Sequence, residues 1–171
     1  MIGGAAFIVE QNNSRLKHYG YDDLGFCRTE KYSWCANVFR VSGKSESLKE
    51  AAFYTLSNNS EYEVYVYLHG KKKPSSPTDG ELAAPVNGVL KYAGYHTVSL
   101  PENIALNDGE YFSVVLKLPW YVPVEAKCKN YSENAEVNPG ESYFSADGRN
   151  WTDGANVGAN ACVKAFTILR R

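Results

Sequence analysis

Apolar side chains recur at every second position through Tyr62-Glu-Val-Tyr-Val-Tyr-Leu-His69 and again through Glu110-Tyr-Phe-Ser-Val-Val-Leu-Lys-Leu118. Successive side chains of a strand point to opposite faces, so this period marks strands buried on one side. In the first segment Val64, Val66 and Leu68 share one face, and Glu63, Tyr65, Tyr67 and His69 share the other. In the second, Phe112, Val114, Leu116 and Leu118 share a face. Further strands are expected at Ala5–Glu10, Trp34–Val41, Leu48–Leu56, Tyr95–Leu100, Val122–Lys127, Ser142–Ala146 and Cys162–Leu169. Turn chemistry separates them at Ser42-Gly43, Ser57–Ser60, Pro101–Asn103, Asn107–Gly109, Asn138–Gly140 and Asp147-Gly148. No long amphipathic helix alternates with these strands, so a parallel α/β sheet is excluded. The pattern predicts an all-β fold, an antiparallel β-sandwich of jelly-roll type, in a single domain over residues 1–171. The longest loop is expected from Gly70 to about Gly88, with Lys71, Lys72 and Lys73 solvated.

Composition agrees. The chain has 171 residues, 44% of them hydrophobic and 22% charged, which suits one globular domain. Thirteen Tyr against one Met favour strands and amphipathic surfaces. Eighteen basic and 19 acidic residues give a net charge of -1, which argues against nucleic acid and anionic membrane as partners. No apolar run approaches the ~18 residues of a membrane span, so no membrane insertion is expected. The opening Met1-Ile-Gly-Gly lacks a signal pattern, so it is expected to be a boundary of a domain excised from a larger protein. The closing Ile168-Leu-Arg-Arg171 follows an apolar run, so the fold is expected to end on a strand.

Catalytic signatures are missing. Three histidines, His18, His69 and His96, make no H-E-x-x-H, and no G-x-S-x-G, P-loop or G-x-G-x-x-G occurs. Ser33-Trp-Cys-Ala36 puts its aromatic before the Cys, and no His follows His96, so it is not a papain-type nucleophile. Glycoside cleavage needs two opposed carboxylates, which a sequence alone cannot nominate among 19 acidic residues. Cys27, Cys35, Cys128 and Cys162 allow three pairings, and buried thiols or disulfides both satisfy the spacing. No cofactor is implied.

Eight segments in order carry a resemblance. They are Tyr21-Asp22 with Gly25, Trp34–Phe39, Leu48–Tyr54, Ser60–Tyr67, Gly94–Leu100, Leu106–Val115, Gly140–Trp151 and Cys162–Thr167. Together the chain resembles, from about Ala5 to Thr167, the lectin-like β-sandwich domain attached to papain-family cysteine peptidases of bacteria and archaea. The resemblance implies a non-catalytic module of an exported or surface-attached protein. Its partner would be the papain-like peptidase domain of the same polypeptide, with a glycan or cell-wall polymer as a further ligand. Cys35 departs from the family pattern, where a small residue is expected before Ala-Asn; if paired, it would be an added staple.

Sugar sites need flat aromatic faces with hydrogen-bonding groups nearby. Two clusters qualify as ligand-binding candidates. One is Tyr65, Tyr67 and His69, whose structural alternative is a second buried sheet face. The other is Trp120 and Tyr121 between Pro119 and Pro123, whose alternative is a wedge closing the end of the sandwich or packing on a peptidase. Asp147, Asn150 and Asp153 have a spacing suited to calcium, but a tight turn, with Asp147 capping it and the Trp151 indole beneath, explains them first. Trp34 is expected in the core and Asn37 as a buried amide bonded to backbone. Four N-x-S/T sites occur, at Asn12, Asn58, Asn130 and Asn150.

Overall fold

The structure, a computed structural model, describes residues 16–170. The strand expected at Ala5–Glu10, and Asn12, lie outside the described residues. The elements run β1 (Leu16–Tyr19), β2 (Arg28–Glu30), β3 (Trp34–Arg40), β4 (Glu46–Thr55), β5 (Ser60–Gly70), β6 (Glu81–Leu90) and β7 (Gly94–Leu106). They continue with β8 (Tyr111–Lys117), β9 (Val122–Ala126), β10 (Ser142–Ser145), β11 (Thr152–Asp153), the one-turn helix α1 (Gly154–Val157), β12 (Ala159–Ala161) and β13 (Val163–Leu169).

Strand pairing is antiparallel throughout. A four-stranded sheet in the order β1-β13-β4-β7 faces a six-stranded sheet in the order β11-β10-β3-β8-β5-β6, and β12-β9-β2 form a small third sheet. One core lies between them. Phe39, Val64, Val66, Phe112, Val114 and Leu116 enter it from the six-stranded sheet, Leu48, Phe53 and Leu106 from the four-stranded one, and Val124, Ala126 and Ala159 from the third. The inward residues are those that the period-two pattern assigns inward. The result is the expected all-β antiparallel sandwich.

Some elements differ from expectation. The loop after Gly70 ends at Gly80, because β6 pairs with β5 from Glu81 onward. Pro85 and Gly88 disguise β6, and both are tolerated because it is an edge strand. Pro101–Asn103 is not a turn. The strand β7 continues to Leu106, and the ladder with β4 jumps from Glu50↔Ser99 to Leu48↔Ile104, so the extra residues bulge from an edge. The strands β1, β2, β11 and β12 span two to four residues, too short to show alternation.

Cys27 and Cys128 form a disulfide across 101 residues of sequence. Cys35 and Cys162 are free and buried, so Cys35 is no staple. Burial pushes both thiols upward, which keeps them protonated and unreactive. Asn37 is fully buried, as expected. Its Nδ2 donates to the carbonyls of Ala161 at 3.0 Å and Val163 at 2.8 Å, while Ser142 Oγ donates to its Oδ1 at 2.6 Å. Ser142 Oγ in turn accepts from the Ala161 N–H at 3.1 Å. This amide ties β3 and β10 to the point where the chain leaves the third sheet for the four-stranded one. Asn37→Ala strands buried carbonyls and a hydroxyl, and is expected to lower the unfolding free energy by about 3 kcal/mol in urea titrations. A loss under about 0.5 kcal/mol would contradict that role.

Candidate functional site

The outer face of the six-stranded sheet carries the first aromatic cluster. Tyr65 and Tyr67 lie there with Trp34, Tyr111 and Trp151, half-buried around a small second core of Ala36, Val38, Val115 and Tyr143. Trp34 is therefore not part of the main core. It stacks on Tyr65 at 5.8 Å and fills the space beneath Gly148, where an added Cβ would meet its ring at 2.8 Å. It is Trp34, and not Trp151, that supports the Asp147-Gly148 turn. His69 bonds through Nε2 to Ser113 Oγ at 3.1 Å. Burial lowers the His69 pKa, opposed by the charge of Asp79. The 71–80 loop folds over this end: Pro77 is buried, and its carbonyl accepts from Ser113 Oγ at 2.5 Å. Asp79 holds the loop by accepting from the Ser75 and Ser76 backbone N–H groups at 3.1 and 2.9 Å. Lys71, Lys72 and Lys73 are exposed, as expected.

Trp120 is placed differently. It follows the end of β8, is 78% exposed, and has φ of +69°. The Tyr121 N–H donates to the Pro119 carbonyl at 2.8 Å across it, which closes a γ-turn. That turn throws the indole outward over a groove of 360 Å³ lined by Ser33, Glu61, Tyr62, Glu63, Lys117 and Trp120, among others. Tyr121, 44% exposed, does not line it.

The two candidate clusters meet at one ion pair. Glu63 on β5 faces Lys117 on β8 in register, and Oε1 and Nζ are 2.6 Å apart. The Tyr65 hydroxyl donates to the other oxygen of Glu63, and Lys117 also lies 5.3 Å from the Trp34 ring. The Lys117 ammonium and the Tyr65 hydroxyl hold the Glu63 carboxyl below its ordinary range, and the same bond pushes the Tyr65 phenol up to about 12. Glu61 and Glu63 are thus two carboxylates in one groove. Glu63 is kept ionised, so it lacks the proton that the acid of a glycosidase must donate. Sequence reading missed Glu61, Tyr62 and Lys117 as groove residues. Their signal is the β5–β8 register, which appears only in three dimensions.

Asp147 and Asn150 lie in the tight turn, with Asn150 Nδ2 donating to Asp147 Oδ2 at 2.7 Å. Asp147 Oδ1 accepts from the backbone of Asn150 at 2.8 Å and Arg149 at 2.9 Å, which holds its carboxyl well below the usual range. Asp153 serves another turn: it caps α1 by accepting from Ala155 N–H at 2.8 Å, and accepts from Gly140 N–H at 2.7 Å. Among the described residues no three His, Cys, Asp or Glu side chains gather as a metal-holding group.

Residues 18–167 match the family described as lectin like domain. The chain belongs to the lectin-like domain family. A comparison with curated proteins finds no match. Two solved structures share the fold. One is the clostridial cysteine protease Cwp84 after propeptide cleavage, with a TM-score of 0.75 and 24% identity over 94% of this chain and 42% of that one. The other holds the cysteine protease and lectin-like domains of Cwp84, a surface layer associated protein of Clostridium difficile. Its TM-score is 0.73, with 23% identity over 94% of this chain and 37% of that one. The lectin-like chain thus spans about two fifths of the length of these solved chains. The family match agrees with the lectin-like domain that the second of these structures names beside its cysteine protease domain.

Trp120 holds the left-handed backbone region without being glycine. A residue with a Cβ is strained at this φ, whereas glycine is not. Trp120→Gly is therefore expected to be more stable than Trp120→Ala by about 1 kcal/mol in thermal unfolding, with both variants folded. Equal stability of the two would contradict the strained turn.

Proposed function

We propose that this lectin-like domain is a non-catalytic accessory domain of a secreted or surface-attached papain-family cysteine peptidase. It binds a glycan or cell-wall polymer in the groove beneath Trp120. The observation that carries this reading is the exposed indole at 78%, set beside the charged groups of Glu61, Glu63 and Lys117. An indole face covers the apolar side of a pyranose, and the polar groups answer its hydroxyls. The Cys27–Cys128 disulfide suits an oxidising, extracellular setting. The surface-layer association of Cwp84 points the same way.

A second reading, docking on the peptidase to shape its substrate cleft, is favoured by a different surface. On the outer face of the four-stranded sheet Tyr54 and Tyr95 pair across strands with rings 5.0 Å apart, and Phe26 lies 5.8 Å from Tyr54. Tyr131, 64% exposed, stands next to Gly25 nearby in sequence to Phe26. Such an aromatic patch suits a protein partner.

Co-sedimentation with insoluble bacterial cell-wall polysaccharide separates the two. The wild-type domain is expected to be retained, and Trp120→Ala to bind about tenfold more weakly. Equal retention of both would remove the groove as the site, and no retention of either would favour the docking surface.

A further inference from the structure

The groove carries an uneven charge. Of its ionisable groups, the Lys117 ammonium is already engaged by Glu63 at 2.6 Å, and Glu63 also takes the Tyr65 hydroxyl. Glu61 is exposed and has no ion-pair partner among the described residues. One negative charge is therefore left over beside the Trp120 indole. The face of an indole is itself electron-rich and attracts cations. Carboxylate and ring together favour a positively charged ligand over a neutral one, and they repel uronic acids and phosphates.

The shape adds a second constraint. Beyond Glu61, Tyr62 and Glu63 the groove opens into a further depression of 350 Å³ bordered by Asn87, Gly88 and Val89. The Tyr62 ring itself turns to the core side of β5, 5.3 Å from Phe53 and against Gly88. On the outer face Glu61 and Glu63 border both halves, and Val89, 60% exposed, offers apolar surface at the far end. A trough that crosses the start of β5 in this way accommodates an extended chain and not a single small molecule.

We infer that the trough selects a polysaccharide bearing free amino groups, an amino-sugar polymer without its N-acetyl groups. A pyranose lies on Trp120 and its neighbour's ammonium meets Glu61. This rests on the glycan-binding reading and narrows it to a ligand class. In mildly acidic solution a free amine on a sugar is protonated, and a charge-assisted bond to Glu61 exceeds what an N-acetyl group can make there.

The test is calorimetric titration of the full chain, in mildly acidic buffer, with a glucosamine hexamer and with an N-acetylglucosamine hexamer. The amine hexamer is expected to bind about tenfold tighter, with the preference shrinking at high salt. In Glu61→Gln the ratio of the two affinities is expected to fall from about ten to about one. Trp120→Ala binds both hexamers about tenfold more weakly, and circular dichroism confirms that each variant is folded. The inference is overturned if the wild type binds the acetylated hexamer as tightly, if Glu61→Gln keeps the preference, or if an oligolysine of equal length competes better than the amine hexamer. Binding of a neutral polysaccharide at Trp120 without binding of the amine hexamer overturns the inference and leaves the glycan reading standing. Binding of no saccharide at all overturns both.

Discussion

The middle of the six-stranded sheet is buried on both faces. Its inner side, Phe39, Phe112, Val114 and Phe144, packs on the four-stranded sheet. Its outer side, Ala36, Val38 and Val115, has no sheet above it and must be covered by side chains. Trp34, Tyr65, Tyr67, Tyr111 and Trp151 provide that cover, with the Pro77 loop closing one end. Removing apolar surface from water is worth about 25 cal/mol per Å², so these large rings contribute most as a lid. An aromatic used in this way presents only part of a face to a ligand. The requirement to cover β3 and β8 therefore decides which rings of this face remain available, and it leaves Trp120, at the strand end, clear of the cover.

The long strands were legible because each has one buried face and one open face over many residues. In β5 and β8 the alternation of Val64, Val66, Phe112 and Val114 survives intact. β6 was hidden because an edge strand can afford Pro85 and Gly88, residues that elsewhere signal a loop. Trp34 was misread because its strand is buried on both sides, so burial of its neighbours does not say which face holds the ring. Cysteine pairing was out of reach for a simpler reason: Cys27 and Cys128 are brought together only by the finished fold.

The candidate site shows the same division. Trp120 and Tyr65 stood out by residue type, yet their connection runs through Glu63 and Lys117, which face each other only in the β5–β8 register. Polar groups behave alike elsewhere. Glu46 is fully buried, and its carboxylate is satisfied by Lys17 at 2.8 Å, Tyr19 at 2.9 Å and Thr167 at 2.6 Å, which anchors the edge strand β1. Such a group fixes the fold because leaving it unpaired would be costly. Glu61 has no such duty among the described ion pairs, and in the proposed reading it is the group left to meet a ligand.

Indole amide signals of the ¹⁵N-labelled domain offer the most direct check, since the chain has only three tryptophans. Addition of cell-wall polysaccharide should move the Trp120 signal first and furthest, while Trp151 stays in place. If saturating polysaccharide moved the Trp151 signal and left Trp120 untouched, or moved none of the three, the groove would not be the binding site.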